Sequence, residues 1–187
     1  MPPSQEEIRD RLLQLIRERA FRRGDFTLTS GRKSSYYIDG KQITLSAEGS
    51  HLLARLLYEK LRGSGVEAIG GLTLGADPIV GAVAAISQAE GHPLDAFIVR
   101  KEPKGHGTRR RIEGPLRQGA KVAVVDDVIT SGGSLIKAIE AVTEEAGAEV
   151  VKVICLVDRQ EGAEESLGKL GYKLEPVFTI RDLEASP

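Results

Sequence analysis

Apolar residues recur at helical spacing near the start of the chain. Ile8, Leu12, Leu15 and Ile16 share one face, behind a Ser4/Glu7 pair spaced as a capping box. A second helix is predicted over Ala47–Leu61, with Leu52, Leu53, Leu56, Leu57 and Leu61 turned inward. Between them, from Gly24 to Gly40, the pattern is polar and irregular, with alternation at Phe26-Thr27-Leu28 and Tyr36-Tyr37-Ile38 that fits short strands or a small hairpin. After Gly65 the period switches repeatedly between strand and helix. Strands are predicted at 66–70, 96–100, 121–126, 150–157 and 176–180. One helix opens at Asp77, read as its N-cap, with Pro78 as first helical residue, and runs to about 88. Another carries Leu135, Ile139, Val142 and Ala146 on one face and ends at Gly147. Alternation of this kind implies an α/β fold, a parallel sheet covered by helices on both faces. Residues 1–187 are expected to form one domain, about 63–187 as the sheet core and about 1–62 as a smaller element on it.

Composition changes this picture little. The 187 residues are 41% hydrophobic and 28% charged, with a net charge of -1, so no global field attracts nucleic acid or a basic partner. The one cysteine, Cys155, excludes an intramolecular disulfide and a Cys-based zinc site, and its apolar surroundings predict a buried thiol. No apolar run approaches the ~20 residues of a membrane span, and the first residues lack a signal pattern. A cytoplasmic protein with neither a membrane nor a nucleic-acid partner is expected.

In parallel sheets, ligands bind at the carboxyl ends of the strands. One strand end carries the string Asp126-Asp127-Val128-Ile129-Thr130-Ser131-Gly132-Gly133-Ser134, set between the apolar run Val122-Ala123-Val124-Val125 and an amphipathic helix. Adjacent carboxylates at a strand end are costly without a partner, and a ribose diol offers them two hydroxyl donors. The Thr-Ser-Gly-Gly-Ser turn lets backbone N–H groups approach an anion closely at a helix N-terminus. The dipole alone contributes only about 0.3–1 kcal/mol, so convergent hydrogen bonds must supply the rest. A lone Ser-Gly-Gly-Ser would read as a polar helix cap; the whole string behind a buried strand reads as a phosphate cradle.

A second strand end carries Arg100, Lys101, Lys104, His106, Arg109, Arg110 and Arg111 with only Glu102 between them. By itself this segment fits a solvated loop, a nonspecific nucleic-acid patch, or a lid over a polyanion. Beside a phosphate cradle the lid is the better reading, since cations set around a diphosphate stabilise the charge that grows as it leaves.

The acidic pair and its turn resemble the phosphoribosyl diphosphate motif of the type I phosphoribosyltransferases, and Arg-Lys-Glu-x-Lys-x-His-Gly resembles the catalytic loop of the orotate phosphoribosyltransferases among them. Phe26 to Tyr37 resembles that family's base-covering segment, and Asp158-Arg159-Gln160-Glu161 its Asp-Arg-Gln-Glu stretch. The resemblance implies the type I phosphoribosyltransferase fold, a central parallel sheet flanked by helices with a small N-terminal hood. It implies transfer of ribose 5-phosphate from phosphoribosyl diphosphate to orotate, with Mg2+ carried mainly by diphosphate and ribose oxygens and no metal held directly by protein side chains. It makes Lys101, Lys104, His106 and Asp127 the catalytic set. Arg100, Lys101, Lys104, His106 and residues 126–134 contact phosphoribosyl diphosphate, and Thr130 and Arg159 contact orotate. A guanidinium fork suits the carboxylate of that base; Arg159 alone would read as a surface partner of Asp158 or Glu161. The family is homodimeric, with the loop closing over the neighbour's site.

Two positions depart from the family. Thr29 and Gly75 stand where lysines are common, leaving Lys33, Arg100 and Lys101 as substitutes in contacts to the diphosphate. Two other readings remain: a relative acting on a purine or uracil, for which Arg159 has no carboxylate to meet, and a non-catalytic regulator that senses phosphoribosyl diphosphate.

Overall fold

The capping box forms as its spacing predicts. Ser4 Oγ accepts from the Glu7 N–H at 3.2 Å, and the Glu7 carboxylate accepts from the Ser4 N–H at 2.7 Å, opening α1 (Gln5–Leu15). The structure is a computed structural model and describes residues 3–27, 31, 33–102 and 110–185. After α1 and one π-helical turn, β1 (Phe21–Thr27) and β2 (Lys33–Ile38) make the expected hairpin, an antiparallel two-stranded sheet separate from the main one. The short α2 (Lys41–Thr44) and then α3 (Ala47–Leu61) follow.

The main sheet is built from β3 (Ala68–Leu72), β4 (Asp95–Val99), β5 (Ile112–Glu113), β6 (Lys121–Ile129), β7 (Glu149–Asp158) and β8 (Leu174–Thr179), in the order β5-β4-β3-β6-β7-β8. All neighbours are parallel except β5 against β4. The helices α4 (Asp77–Ala89), α5 (Gly133–Ala146), α6 (Ala163–Gly168) and α7 (Ile180–Glu184) complete the chain. Chain order proceeds outward from β3 to β5, then returns beside β3 as β6 and proceeds the other way. The reversal lies between β3 and β6, where open α/β sheets form a crevice.

Both sheet faces are buried. Leu12, Leu53, Leu57, Ile79 and Val83 pack against Ala123, Val125 and Ile154 on one side. On the other, Leu135, Ile139 and Val142 pack against Val122, Val124 and Val153. Alternate residues of β6 thus serve different cores, so the strand is apolar throughout rather than alternating. Cys155 is fully buried as expected, and burial pushes its thiol pKa well up.

Most strand boundaries shift by one or two residues from the sequence reading, and two differences bear on the site. Ala76, not Asp77, occupies the N-cap of α4; Asp77 is its first residue and accepts a hydrogen bond from Thr73 Oγ1 at 2.7 Å. Strand β6 continues past Asp126 to Ile129, because its backbone stays in register with β7 (Asp126 opposite Cys155, Ile129 opposite Asp158) whatever the side chains prefer. The paired acids therefore sit within the strand's last turn of pleat.

The basic segment leaves the sheet through a stem. Ile98 and Val99 pair with Glu113 and Ile112, and the Arg100 N–H donates to the Arg111 carbonyl at 2.8 Å. Arg111 is fastened to α5. Its Nε stands 2.7 Å from Glu145 Oε1 and its Nη2 2.7 Å from Glu144 Oε2, contacts that raise the guanidinium pKa, the Glu145 hydrogen bond foremost.

Candidate active site

At the carboxyl ends of β6 and β7, under the β1–β2 hairpin, lies a cavity of about 860 Å³. Asp127, Val128, Thr130, Ser131 and Arg159 line it from below, Phe26, Thr27, Tyr37 and Ile38 from the hairpin, and Asp39, Gly40 and Lys41 from the turn into α2. Five of the residues singled out in the sequence thus share one wall although Arg159 is distant in the chain.

The two acids are not equivalent. Asp127 is 7% exposed and faces the cavity; Asp126, 5% exposed, lies beneath it. Asp126 Oδ1 accepts the Asp127 N–H at 2.9 Å, and its Oδ2 accepts a short hydrogen bond from Ser134 Oγ, tying the strand end to the first turn of α5. Burial raises the Asp126 pKa to about 6, reinforced by the charge of Asp127 and opposed by the Ser134 hydrogen bond. Asp127 Oδ1 accepts the Val128 N–H at 2.8 Å, leaving Oδ2 for other partners.

The loop after β3 closes over the acids. A Cβ built on Gly75 would fall 2.2 Å from Asp126 Oδ1 and 2.7 Å from Asp127 Oδ1. The backbone there passes so near both carboxylates that any side chain at this position would require them to shift.

Of the remaining cradle residues, Ile129 buries its side chain in the core, so its backbone alone is available to a ligand. Gly132, in the left-handed region at φ 83°, bends the chain into α5, and Gly133 begins that helix. Arg100 and Lys101 are exposed and do not line the cavity; Arg100 stands 3.6 Å from Glu113. Lys104, His106 and Thr29 lie outside the described residues.

Arg159 is not a surface residue. Only 7% exposed, it donates from Nη2 to Ser34 Oγ at 3.2 Å, and its guanidinium lies 4.6 Å from the centroid of the Tyr36 ring. Its Nε stands 2.8 Å from Glu161 Oε1, an ion pair by distance but not by alignment, since the buried Nε has no hydrogen-bond partner among the described residues. Tyr36 Oη donates to the same Glu161 oxygen at 3.5 Å. Between Arg159 and Glu161, Gln160 takes φ 56°, held by its N–H on Asp158 Oδ1 at 2.8 Å. A left-handed residue without glycine costs on the order of 1 kcal/mol, and here it turns both charged neighbours toward one cavity.

Lys41 was not singled out by its sequence. Its Nζ stands 3.0 Å from Asp127 Oδ2, a pair 86 positions apart in the chain. No motif marks it; only the packing of α2 against the end of β6 does. Nor is there a protein cage for a metal, as no group of three or more His, Cys, Asp or Glu side chains among the described residues is placed to hold an ion. The Asp127 carboxylate at the wall is a hard oxygen donor that would suit a cation bringing its other oxygens with a phosphorylated ligand.

Residues 47–176 match the family model of the phosphoribosyl transferase domain. The chain is 51% identical over 178 residues to an orotate phosphoribosyltransferase of Nostoc sp., with 95% of this chain and 85% of that protein covered. The crystal structure of Mycobacterium tuberculosis orotate phosphoribosyltransferase in complex with Fe(III) dicitrate superposes with a TM-score of 0.83 at 41% identity, covering 95% of this chain and 99% of that one. The same enzyme in complex with 5-phospho-alpha-D-ribosyl 1-diphosphate gives 0.79 at 39% identity, with the same coverage.

Proposed function

We infer the reaction from one premise: the chain belongs to the orotate phosphoribosyltransferases, within the phosphoribosyl transferase domain family. It is a pentosyltransferase that joins the ribose 5-phosphate of phosphoribosyl diphosphate to orotate, giving orotidine 5'-monophosphate and diphosphate. The observation that carries this reading is the buried Arg159, aimed with Thr130 and Asp127 into a single cavity. A neutral purine or uracil brings no carboxylate to that guanidinium, whose partners within the protein are Ser34, Tyr36 and Glu161. The sensing regulator is disfavoured by the intact basic segment beside the cradle.

The parts divide the work. Asp127 accepts the ribose hydroxyls at the cavity wall, while Asp126 beneath it adds charge and fixes the turn through Ser134. The N–H groups and hydroxyls of residues 129–134 hold the 5-phosphate at the start of α5. Arg159 and Thr130 hold orotate so that its ring nitrogen faces the anomeric carbon, under the cover of Phe26 and Tyr37. Arg100, Lys101, Lys104 and His106 meet the diphosphate as negative charge grows on it. Mg2+ brought in with the diphosphate would neutralise part of that charge, and Asp127, the acid that faces the cavity, would be the carboxylate available to it. The catalysis is positioning and electrostatic stabilisation. Loss of orotate absorbance on mixing protein, phosphoribosyl diphosphate and Mg2+ tests the assignment, and no loss with orotate but turnover of a purine or uracil would overturn it.

Asp126 supplies a prediction of its own. Its raised pKa means that its contribution to folding is full below the unfolded value near 4 and is lost as pH rises through about 6. Asp126→Asn removes the buried charge, so at pH 8 the variant is expected to melt a few degrees higher than the wild type and to lose that advantage by pH 4. Binding runs the other way, because the Asp126 carboxylate adds charge beneath the ribose site and holds the turn through Ser134. Wild-type affinity for phosphoribosyl diphosphate is expected to fall as pH drops through about 6, and the variant to bind weakly throughout. Scanning calorimetry and titration calorimetry at both pH values measure the two effects; lower stability of the variant at pH 8 would contradict the assigned environment.

A further inference from the structure

Lys41 stands on the oxygen that a ribose hydroxyl needs. Its ammonium is 3.0 Å from Asp127 Oδ2, the oxygen of that carboxylate not engaged by the Val128 N–H. Its backbone is seated closely against that carboxylate. A Cβ on the preceding Gly40 would lie 2.9 Å from both Cβ and Oδ2 of Asp127, and the Lys41 N–H donates to Asp39 Oδ1 at 3.2 Å. The side chain beyond is 39% exposed and lines the same cavity as Thr130, Ser131 and Arg159. The described cavity wall carries three carboxylates, Asp39, Asp127 and Glu161, against two cations, Lys41 and Arg159. An anionic sugar diphosphate entering there meets a wall of net negative charge, and Arg159 is engaged with Ser34, Tyr36 and Glu161 on the base side.

We propose that Lys41 is a further substrate-contacting residue, which passes from Asp127 to the diphosphate of phosphoribosyl diphosphate when a ribose hydroxyl takes its place on Oδ2. The exchange moves no covalent bond: one charge-assisted hydrogen bond is given up and another is made, while Asp127 gains the sugar hydroxyl as its donor. The ammonium stays charged throughout. Burial works against its charge, but the hydrogen bond to Asp127 and the nearby Asp39 and Asp126 outweigh that and raise its pKa. A four-carbon stem on an anchored backbone lets the same group serve both partners. It would also supply, from a different element, a cation that Thr29 and Gly75 do not.

The inference rests on the reading of Asp127 as the ribose site, and two sugar phosphates separate its parts. Ribose 5-phosphate has the diol and the 5-phosphate but no diphosphate. In Lys41→Met, titration calorimetry is expected to show affinity for phosphoribosyl diphosphate falling roughly 10- to 100-fold, the range of one charge-assisted hydrogen bond. Affinity for ribose 5-phosphate is expected to hold or improve, since the competitor for Oδ2 is gone. Lys41→Arg should recover most of the loss. A parallel fall for both ligands, or no change in either, would make Lys41 a structural tie of α2 and overturn the proposal. A loss confined to orotate would put the ammonium on the base carboxylate and overturn it equally. Should Lys41→Met not fold, Lys41→Gln carries the same comparison. Because neither sugar phosphate needs orotate as its acceptor, failure of the orotate assignment, seen as wild type binding both but consuming no orotate, is read separately. Wild type that binds neither would overturn both.

Discussion

Replacing Arg159 by alanine is expected to raise the KM for orotate by roughly 10²- to 10³-fold while changing that for phosphoribosyl diphosphate only severalfold. The magnitude follows from burial. Removing one partner of a desolvated charge pair costs about 3–5 kcal/mol, whereas an exposed pair is worth under about 1. Arg159 belongs to the first class, at 7% exposure beneath the hairpin. Its surroundings also fix its direction, with Ser34 on Nη2, the Tyr36 ring against the guanidinium plane, and Glu161 beside Nε. Lysine should not rescue the variant, since a point charge cannot reproduce a fork pressed on an aromatic ring. Steady-state kinetics with each substrate varied in turn decide the matter. Equal effects on both would show that Arg159 holds the hairpin down rather than binding the base.

Lys104→Ala is expected to cut turnover by about 10²–10³-fold, the loss seen when one preorganised transition-state donor is removed. Substrate affinities should change less, because the charge it meets grows mainly as the C1–O bond breaks. If the enzyme is a dimer whose loop serves the neighbouring site, Lys104 and Asp127 of one chain belong to different sites. Refolding equal amounts of Lys104→Ala and Asp127→Asn together would then make about half the dimers mixed, each with one intact site. The mixture should regain about a quarter of wild-type activity, by the arithmetic of a two-fold assembly. Single-turnover and steady-state rates measure the first effect, and the refolded mixture the second. Mixed dimers without recovered activity would place the loop over its own subunit.

Much of this architecture was legible in the chain. The helical faces of Ile8 to Ile16 and of Ala47–Leu61 turn inward as their periodicity requires, and the strands fall within a few residues of the apolar runs. What escaped had a consistent cause. Strand β6 outlasts its apolar run because the ladder to β7 is a backbone property, and β5 has only two residues to reveal itself. In the site, Asp127, Thr130 and Arg159 could be found because their types and order form a local string. Lys41 on Asp127, Ser34 on Arg159 and Tyr36 on Glu161 could not, because each contact joins segments 86 or 125 positions apart. Nor did the string reveal that its two acids differ, with one on the wall and the other under it; that depends on the depth of the strand end.

The stem that β4 and β5 form has a consequence for how such an enzyme can change. The Arg100–Arg111 backbone bond and the Glu144–Glu145 clamp on Arg111 fix both ends of the basic segment independently of what lies between them. Closing a loop whose ends are already held costs entropy only logarithmically with its length, about 0.6 kcal/mol for each doubling. An insertion between Arg100 and Arg111 is therefore expected to cost little stability, and thermal melting of a variant with a few added residues there measures it. Strand β6, by contrast, is packed on both faces and held in register with β7, so an inserted residue would turn its core side chains to the wrong face. The stem thus sets an entropic and loose limit on change, and the packed strand end a steric and strict one.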